Sequence, residues 1–244
     1  MKYLHKTAVY ILLILIIGIA IAGGKNSRFI TEGGVEIIGS MWIPHQDISP
    51  AVILLHMLSR DRTDWDDVAE QLVSEGYAVM SIDLRGHGQS INQNGNTINY
   101  KDFTEEDYRK MTLDVLPVID FFRNDKRVDG DRIAIIGASI GANVALQVAA
   151  ADPDIRTVIL LSPGKVYRGV TTGDAILEFG KRPVLIAASE EDEYAASSSK
   201  FLKESAQGDS KLLMSKNMGH GTDMLGKESG LEAEIIEWLG LYMQ

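Results

Sequence analysis

The feature of this sequence with the clearest chemical meaning is Ser139, at the centre of the pentapeptide G-A-S-I-G at residues 137–141. The segment 132–136, which is apolar from Ile133 onwards, predicts a buried strand before it, and a stretch rich in alanine and valine at 139–151 predicts a helix after it. A serine in a G-x-S-x-G turn between a strand and a helix is the arrangement of an enzyme nucleophile. The glycines allow the chain segments to approach closely, and the amide dipoles at the helix N-terminus favour developing negative charge. A serine that only caps the helix would have the same pattern, so the other residues of a site must decide.

A serine hydroxyl is a weak nucleophile unless a base takes its proton, and that base is commonly a histidine held by a carboxylate. After such a serine turn, the acid and the histidine follow in that order along the chain. Of the five histidines, only His220 follows Ser139, in a Gly-His-Gly loop after the last predicted strand. The acid should follow the strand predicted at 183–188, where the sequence reads S-E-E-D-E. We assign Asp192, because a short carboxylate turns back towards the histidine with less loss of entropy, and keep Glu191 as the second choice.

Two backbone N–H groups should stabilise the negative charge that develops on the substrate oxygen. One is expected from Ile140, the residue after the nucleophile, and the other from the loop after the strand that ends at Leu55. In that loop we assign Leu58 as the donor, with Met57 as the alternative. The Met57 side chain could instead line the pocket for the acyl group.

The elements that must position these residues alternate between short apolar runs and helical stretches. The predicted strands are 29–31, 35–43, 51–55, 77–82, 132–136, 157–161, 183–188 and 211–214, and the predicted helices are 64–75, 104–124, 139–151, 194–207 and 228–242. Residues 23–28 are predicted to be a linker and residues 90–100 a loop. This alternation predicts an α/β fold, with a mostly parallel sheet of eight strands covered by helices on both faces. Ligands of such sheets bind beyond the carboxyl ends of the strands, where the loops with the candidate residues lie.

Composition excludes several classes of site. The formal net charge is −10, with 34 Asp and Glu against 24 Lys and Arg, and a surface of this sign repels nucleic acid. The sequence has no cysteine, which excludes disulfides, thiolate zinc sites and a cysteine nucleophile. The proposed chemistry requires no metal and no organic cofactor, and the oligomeric state is left open.

The N-terminus has a short basic region followed by an uncharged, mostly apolar stretch at 7–24. One interpretation of residues 1–24 is a signal peptide, cleaved after Ala22 by the small-x-small rule. The other is an uncleaved membrane anchor, because eighteen uncharged residues are close to the lower limit for a span. Both place the folded domain, predicted at 29–244, outside the cytoplasm.

Over residues 29–244 the sequence resembles the α/β-hydrolase superfamily, and in particular its small esterase and dienelactone-hydrolase-like branch without a lid. The segment D-L-R-G-H-G-Q-S at 83–90, the serine turn, the acid loop and the Gly-His-Gly loop all look like family motifs in the family order. The resemblance implies a structural role for His87 in the first of these. The sequence departs from the family in two ways: Met57 follows His56 where many members have glycine, and Ser139 stands where dienelactone hydrolases have cysteine, so their substrate does not carry over.

About twenty residues separate Leu161 from Pro183, where many relatives insert a helical lid. The short connection predicts an open site without a large lid, with residues 162–169 as one wall. We therefore expect a serine hydrolase that cleaves small-molecule carboxylic esters through an acyl-enzyme. A peptidase, a thioesterase or a lactonase with the same three residues remains an alternative, as does an exported binding module without catalysis on the same scaffold.

Overall fold

The computed structural model of the protein describes residues 24–45, 48–227 and 230–244. Its main feature is an eight-stranded sheet with the strand order β1-β2-β4-β3-β7-β8-β11-β12. These strands are β1 (Lys25–Ile30), β2 (Glu36–Trp42), β3 (Ser49–Leu55), β4 (Ala78–Ile82), β7 (Val128–Ala138), β8 (Ile155–Leu161), β11 (Val184–Ser189) and β12 (Ser210–Ser215). The remaining strands form two small antiparallel hairpins: β5 (Asn92–Gln93) with β6 (Asn96–Thr97), and β9 (Val166–Tyr167) with β10 (Val170–Thr171).

The sheet is parallel except at β2, which runs antiparallel to both of its neighbours, β1 and β4. The central strands are buried on both faces; in β3, for example, residues 51–55 have no exposed surface. This burial explains why β3 and β7 contain continuous apolar runs rather than an alternating pattern. Six neighbouring strands of the sheet are mutually parallel: β4, β3, β7, β8, β11 and β12. Their carboxyl ends therefore all lie at one edge of the sheet.

Helices cover both faces of the sheet, as predicted. The helices are α1 (Asp66–Ser74), α2 (Glu105–Arg109), α3 (Thr112–Asn124), α4 (Ile140–Ala151), α5 (Gly173–Phe179), α6 (Glu193–Ser205) and α7 (Leu231–Tyr242). One apolar cluster unites the sheet with residues of α3, α4, α5 and α6, and a second unites it with α1 and α7. Short 3₁₀ turns lie at Arg62–Trp65, Tyr100–Asp102 and Gly221–Met224.

The linker predicted at 23–28 is wrong for residues 25–28, which belong to β1. Lys25 pairs with Met41 and Ile30 pairs with Glu36 in an antiparallel register. The side chains of β1 are mostly exposed, because it is an edge strand. Backbone hydrogen bonds to β2 therefore hold β1 in place, and such bonds leave no hydropathy pattern in the sequence.

The single helix predicted at 104–124 is also wrong, because the structure has two helices there. Lys110 ends α2, and tight i−3 hydrogen bonds from Leu113 to Lys110 and from Asp114 to Met111 lead into α3. This turn puts Met111 in the core, where it has no exposed surface. Pro117, where a kink was predicted, lies inside α3 after the interruption.

The connection between β8 and β11 contains the β9–β10 hairpin and the short helix α5. The hairpin packs against α4, and α5 packs against both α4 and α6, so the connection is part of the main domain rather than a separate lid. The predicted leader at 1–24 falls almost wholly outside the described residues and stays a prediction. Within the part of the chain that the structure describes, no helix has both the length and the apolar character needed to cross a membrane.

A buried ion pair attaches the turn after β4 to α3. Asp114 has no exposed surface and accepts hydrogen bonds from Arg85 Nε at 2.8 Å, Arg85 Nη2 at 2.7 Å and the Arg85 amide at 2.9 Å. These bonds satisfy both carboxylate oxygens. The guanidinium of Arg85 is itself buried, so its charge depends on Asp114 for compensation.

We therefore expect Asp114→Ala to lower the free energy of unfolding by about 3–5 kcal/mol, because it leaves the buried Arg85 charge without a partner. Urea denaturation measures the effect. Asp120→Ala, at an exposed position of the same helix, is the matched control and should change the free energy by less than about 0.5 kcal/mol. Equal effects of the two substitutions would contradict the importance of the pair.

Candidate active site

Ser139 occupies the sharp turn between β7 and α4, at the carboxyl edge of the sheet. Its backbone φ is 54° and its ψ is −118°, a conformation that is strained for a residue with a side chain. The Ser139 side chain makes no capping hydrogen bond to α4, so the helix-cap interpretation of the motif is wrong. The backbone is fixed from the neighbouring strand, since the Ser139 amide donates to the Leu161 carbonyl at 2.8 Å. The turn therefore presents the Ser139 hydroxyl, which does not cap α4, at the edge of the sheet where ligands bind.

The two glycines of the motif are required by close backbone contacts. A Cβ atom at Gly137 would lie 2.2 Å from the carbonyl oxygen of Gly141. A Cβ atom at Gly141 would lie 2.5 Å from the carbonyl oxygen of Leu55 and 2.6 Å from that of His56. The start of α4 thus lies directly against the end of β3, which explains why small residues flank Ser139.

His220 and Asp192 are hydrogen bonded to each other through Nδ1 of His220 and Oδ2 of Asp192. Asp192 follows β11 and is the N-cap of α6, where Oδ1 accepts from the Ala195 amide at 3.2 Å. The carboxylate is therefore held by a helix on one side and orients the imidazole on the other. Since Nδ1 faces the carboxylate, Nε2 is the nitrogen that can exchange a proton.

Glu191, the second choice for the acid, is engaged elsewhere. One of its carboxylate oxygens accepts from the Asn217 amide at 2.7 Å and from the Ser189 hydroxyl at 2.8 Å. These bonds hold the pKa of Glu191 below its usual range, and the bond from the Asn217 amide has the largest effect. Glu191 thus braces the turn that leads to His220, whereas Asp192 contacts the imidazole itself.

The loop with His220 packs directly on the serine turn. A Cβ atom at Gly221 would lie 3.4 Å from Cβ of Ala138, the residue before Ser139, and 2.8 Å from Sδ of Met57. The Gly221 amide donates to the hydroxyl of Ser162 at 2.9 Å. Ser162 is fully buried at the end of β8 and has a φ of 49°, so it anchors the histidine loop beside the nucleophile.

Tyr167, on the β9–β10 hairpin, connects the two candidate residues. Its ring meets His220 edge-on, with the ring centroids 6.2 Å apart at an interplanar angle of 85°. Its hydroxyl interacts with the Ser139 side chain and donates to the Ser162 carbonyl at 3.4 Å. Among the described residues, no hydrogen bond joins Ser139 to His220. In many enzymes the bond between nucleophile and base becomes short only when substrate is bound.

The loop after β3 approaches the serine turn from the other side. Leu55 of β3 is paired with Gly137 of β7, so the residues that follow these two strands emerge side by side. This places Met57 and Leu58 next to Ser139 and Ile140. The Met57 carbonyl accepts from the Arg60 amide at 3.3 Å, which closes the turn that carries both candidate donors, Met57 and Leu58.

Two buried histidines support this loop from behind. His56 Nδ1 donates to the Met57 carbonyl at 2.8 Å, and its Nε2 accepts from the Leu84 amide at 3.0 Å. The ring of His87 lies 5.0 Å from that of His56 and stacks on Tyr100 at 4.1 Å. Burial lowers the pKa of both histidines to about 4, so both are neutral at pH 7. These contacts agree with a structural role for His87.

The structure thus brings together most of the residues predicted from the sequence. Asp192 and His220 are in contact, Ser139 is beside them, and Ile140, Met57 and Leu58 surround the serine turn. Sequence reasoning did not identify Ser162 as the anchor of the histidine loop, and it gave Tyr167 only as part of a wall. Neither residue belongs to a sequence motif. The one signal that could have indicated a place in the site is that both residues follow β8, the strand beside β7. In the described residues, no cluster of His, Asp and Glu has the arrangement of a metal site.

The family model described as "Serine aminopeptidase, S33" matches residues 46–170 of this chain. The match covers just over half of the 244 residues and includes the turn at Ser139. The chain belongs to this family of α/β hydrolases. Asp192 and His220 lie beyond the matched range, so their assignment depends on the geometry described above.

Individual relatives match parts of the chain. A monoacylglycerol lipase from Mycolicibacterium smegmatis is 27% identical over 168 residues, which are 68% of this chain and 52% of the lipase. An uncharacterized protein from Mycobacterium tuberculosis is 31% identical over 122 residues, which are 50% of this chain and 31% of that protein. The matches therefore span about half, or less, of the length of these relatives.

Solved structures share the fold over nearly the whole chain. An esterase from Pyrococcus furiosus has a TM-score of 0.74 at 18% identity, over 91% of this chain and 93% of the esterase. Dienelactone hydrolase from Anabaena variabilis has a TM-score of 0.68 at 17% identity, over 91% of this chain and all of that chain (100%). At such low identity, these likenesses show the α/β-hydrolase fold alone.

The depressed pKa of the buried histidines predicts an acid-sensitive stability. The unfolded chain binds a proton at each histidine as the pH falls below about 6.5, whereas the folded chain does so only near pH 4. Stability from neutral burial is therefore complete above pH 6.5 and is lost as the pH falls towards 4. Removing one of the two histidines should remove its share of this dependence.

We expect His87→Asn, whose amide can still donate to the Arg85 carbonyl, to reduce the slope of unfolding free energy against pH between pH 5 and 6. The reduction should be about 1 kcal/mol per pH unit, close to the value for one proton. Urea denaturation across this pH range measures it. Identical slopes for the two proteins would show that His87 is not held neutral by the fold.

Proposed function

We propose that this chain is a serine hydrolase that cleaves carboxylic esters of small molecules through an acyl-enzyme intermediate. Ser139 is the nucleophile, His220 the base, and Asp192 the acid that orients His220. The observation that carries the proposal is the hydrogen bond between His220 and Asp192 in a loop that packs directly on the strained turn of Ser139. A scaffold used only for binding has no need of this combination.

The chemical cycle follows from these contacts. His220 Nε2 takes the proton of Ser139 as Oγ attacks the ester carbonyl, and the negative charge of Asp192 stabilises the imidazolium that forms. The amide of Ile140 and that of Leu58 or Met57 stabilise the oxyanion. His220 then gives its proton to the departing alcohol. A water molecule, activated by the same histidine, hydrolyses the acyl-enzyme and releases the acid.

The proposal that the substrates are esters is supported by the relatives of this chain rather than by the geometry of the site. One relative is a monoacylglycerol lipase, and a protein with the same fold is an esterase. The family model takes its description from an aminopeptidase, so cleavage of amides is the alternative that the experiment must separate. The same three residues could serve both reactions.

Hydrolysis of p-nitrophenyl acetate by the full chain tests the nucleophile. We expect Ser139→Ala to lower kcat/KM by about 10⁴-fold or more, because the residual activity comes only from the oxyanion donors and binding. A fluorophosphonate probe should label the wild type and not this variant. Ser197→Ala, at an exposed position of α6, is the control and should keep both activity and labelling.

Equal activity of wild type and Ser139→Ala would contradict the proposal. The p-nitroanilide of an amino acid, measured in parallel, separates the two reaction types. Faster cleavage of the anilide than of the ester would indicate a peptidase.

The neighbouring carboxylates allow a matched test of the acid. We expect Asp192→Asn to lower kcat by about 10⁴-fold, because the amide no longer stabilises the correct tautomer and charge of His220. Asparagine can still cap α6, so the thermal unfolding temperature should change little. Glu191→Gln retains an oxygen that accepts from Asn217 and should lower kcat by less than about threefold. A larger loss for Glu191→Gln than for Asp192→Asn would reverse the assignment of the acid.

A further inference from the structure

Tyr167 contacts both residues that exchange the proton in the proposed mechanism. Its hydroxyl interacts with the Ser139 side chain, and its ring packs edge-on against His220. The ring of Tyr194 also packs edge-on against that of Tyr167, with a centroid separation of 5.5 Å. The phenol is therefore placed directly at the reacting atoms rather than on the outer surface of the site.

The hairpin with Tyr167 is rigidly attached to the helices around the site. The hydroxyl of Tyr194 bonds both the amide and the carbonyl of Val166 at 2.9 Å. Asn143, which is fully buried on α4, donates to the Val170 carbonyl at 2.8 Å and accepts from the Gly164 amide at 3.0 Å. Because α4 begins at the nucleophile, these bonds fix the distance between the hairpin and Ser139.

The strand order determines which side of Ser139 the phenol occupies. β3 and β8 are neighbours of β7 on opposite sides. The oxyanion loop with Met57 and Leu58 follows β3, whereas Tyr167 follows β8. His220 follows β12, on the same side as Tyr167. The ester oxygen that leaves must lie close to His220 to receive its proton, and it therefore lies on the side of Tyr167.

The protonation state of Tyr167 is set by its surroundings. Burial is the main cause that raises its pKa, and the negative charge of Asp192 and the neighbouring Tyr194 act in the same direction. The interaction with Ser139 opposes this rise only in part. The hydroxyl consequently remains neutral at the pH where His220 works, and it can donate a hydrogen bond without losing its proton.

We propose that the hydroxyl of Tyr167 turns from the Ser162 carbonyl, to which it donates at 3.4 Å, and donates its hydrogen bond to the leaving oxygen of the ester as the acyl-enzyme forms. This role rests on the proposed function of Ser139 and His220. The bond between Ser139 Oγ and the acyl carbon forms, and the bond from that carbon to the leaving oxygen breaks. The proton of Ser139 passes through His220 Nε2 to the leaving oxygen, and Tyr167 keeps its own proton throughout.

The substrate pair that tests this role has one acyl group and two different leaving groups. Ethyl acetate releases a strongly basic alkoxide oxygen, which depends on hydrogen bonding, whereas p-nitrophenyl acetate releases a weakly basic phenolate. kcat/KM reports the acylation step for both. We expect Tyr167→Phe to lower kcat/KM for ethyl acetate about tenfold or more, and that for p-nitrophenyl acetate less than about threefold.

Tyr242→Phe is the matched control, because it removes a phenol hydroxyl that donates to Asp209, just before the amino end of β12 and away from the candidate site. It should leave kcat/KM for both esters unchanged. Thermal unfolding of Tyr167→Phe should match the wild type, since the ring contacts remain.

An equal loss on both esters, or no loss on either, would overturn the role of Tyr167 while leaving the ester hydrolase intact. Failure of the proposed function gives a different result. In that case the wild type hydrolyses neither ester and the fluorophosphonate probe does not label Ser139, which overturns both proposals together.

Discussion

The contact on which this molecule depends most is the approach of the start of α4 to the end of β3. The backbone is so close there that a single added carbon at Gly141 would lie 2.5 Å from the carbonyl oxygen of Leu55. This contact forces the chain to reverse sharply at Ser139 and puts its φ at 54°. It also brings the amide of Ile140 beside the loop after β3. The proposed nucleophile and the candidate oxyanion donors thus share one structural cause.

The loops around this turn are held by side chains that bond backbone groups, and two of them, His56 and Ser162, are fully buried. His56 bonds the carbonyl of Met57 behind the oxyanion loop, Ser162 accepts from the amide of Gly221 beside His220, and Glu191 accepts from the amide of Asn217. A side chain bonded to a backbone group fixes the position of a loop more directly than apolar packing does, because the bond has a preferred direction. The site is therefore preorganised by polar groups, while the apolar clusters hold the sheet and helices.

The proposed role of Tyr167 depends on how the connection between β8 and β11 is held. The segment between β8 and α5 is short, and Asn143 and Tyr194 hold it in place. In this position its phenol lies on the side of Ser139 opposite to the loop after β3. In the proposed mechanism, the strand order thus assigns the two sides of Ser139 to two different oxygens of the ester.

The sequence by itself determined the fold class, because that depends on local patterns, and patterns of the same kind predicted the serine turn and the order of the candidate acid and histidine. Apolar runs mark strands that are buried on both faces, and glycines mark a turn without room for a Cβ atom. It did not determine β1, whose exposed side chains carry no hydropathy pattern, or the interruption between α2 and α3, which follows from the burial of Met111 and the pairing of Asp114 with Arg85. Only the tertiary structure decided that Asp192 contacts His220 while Glu191 braces Asn217, and that Ser162 and Tyr167 belong to the site. These contacts join residues that are far apart along the chain, and their geometry depends on the order and register of the parallel strands.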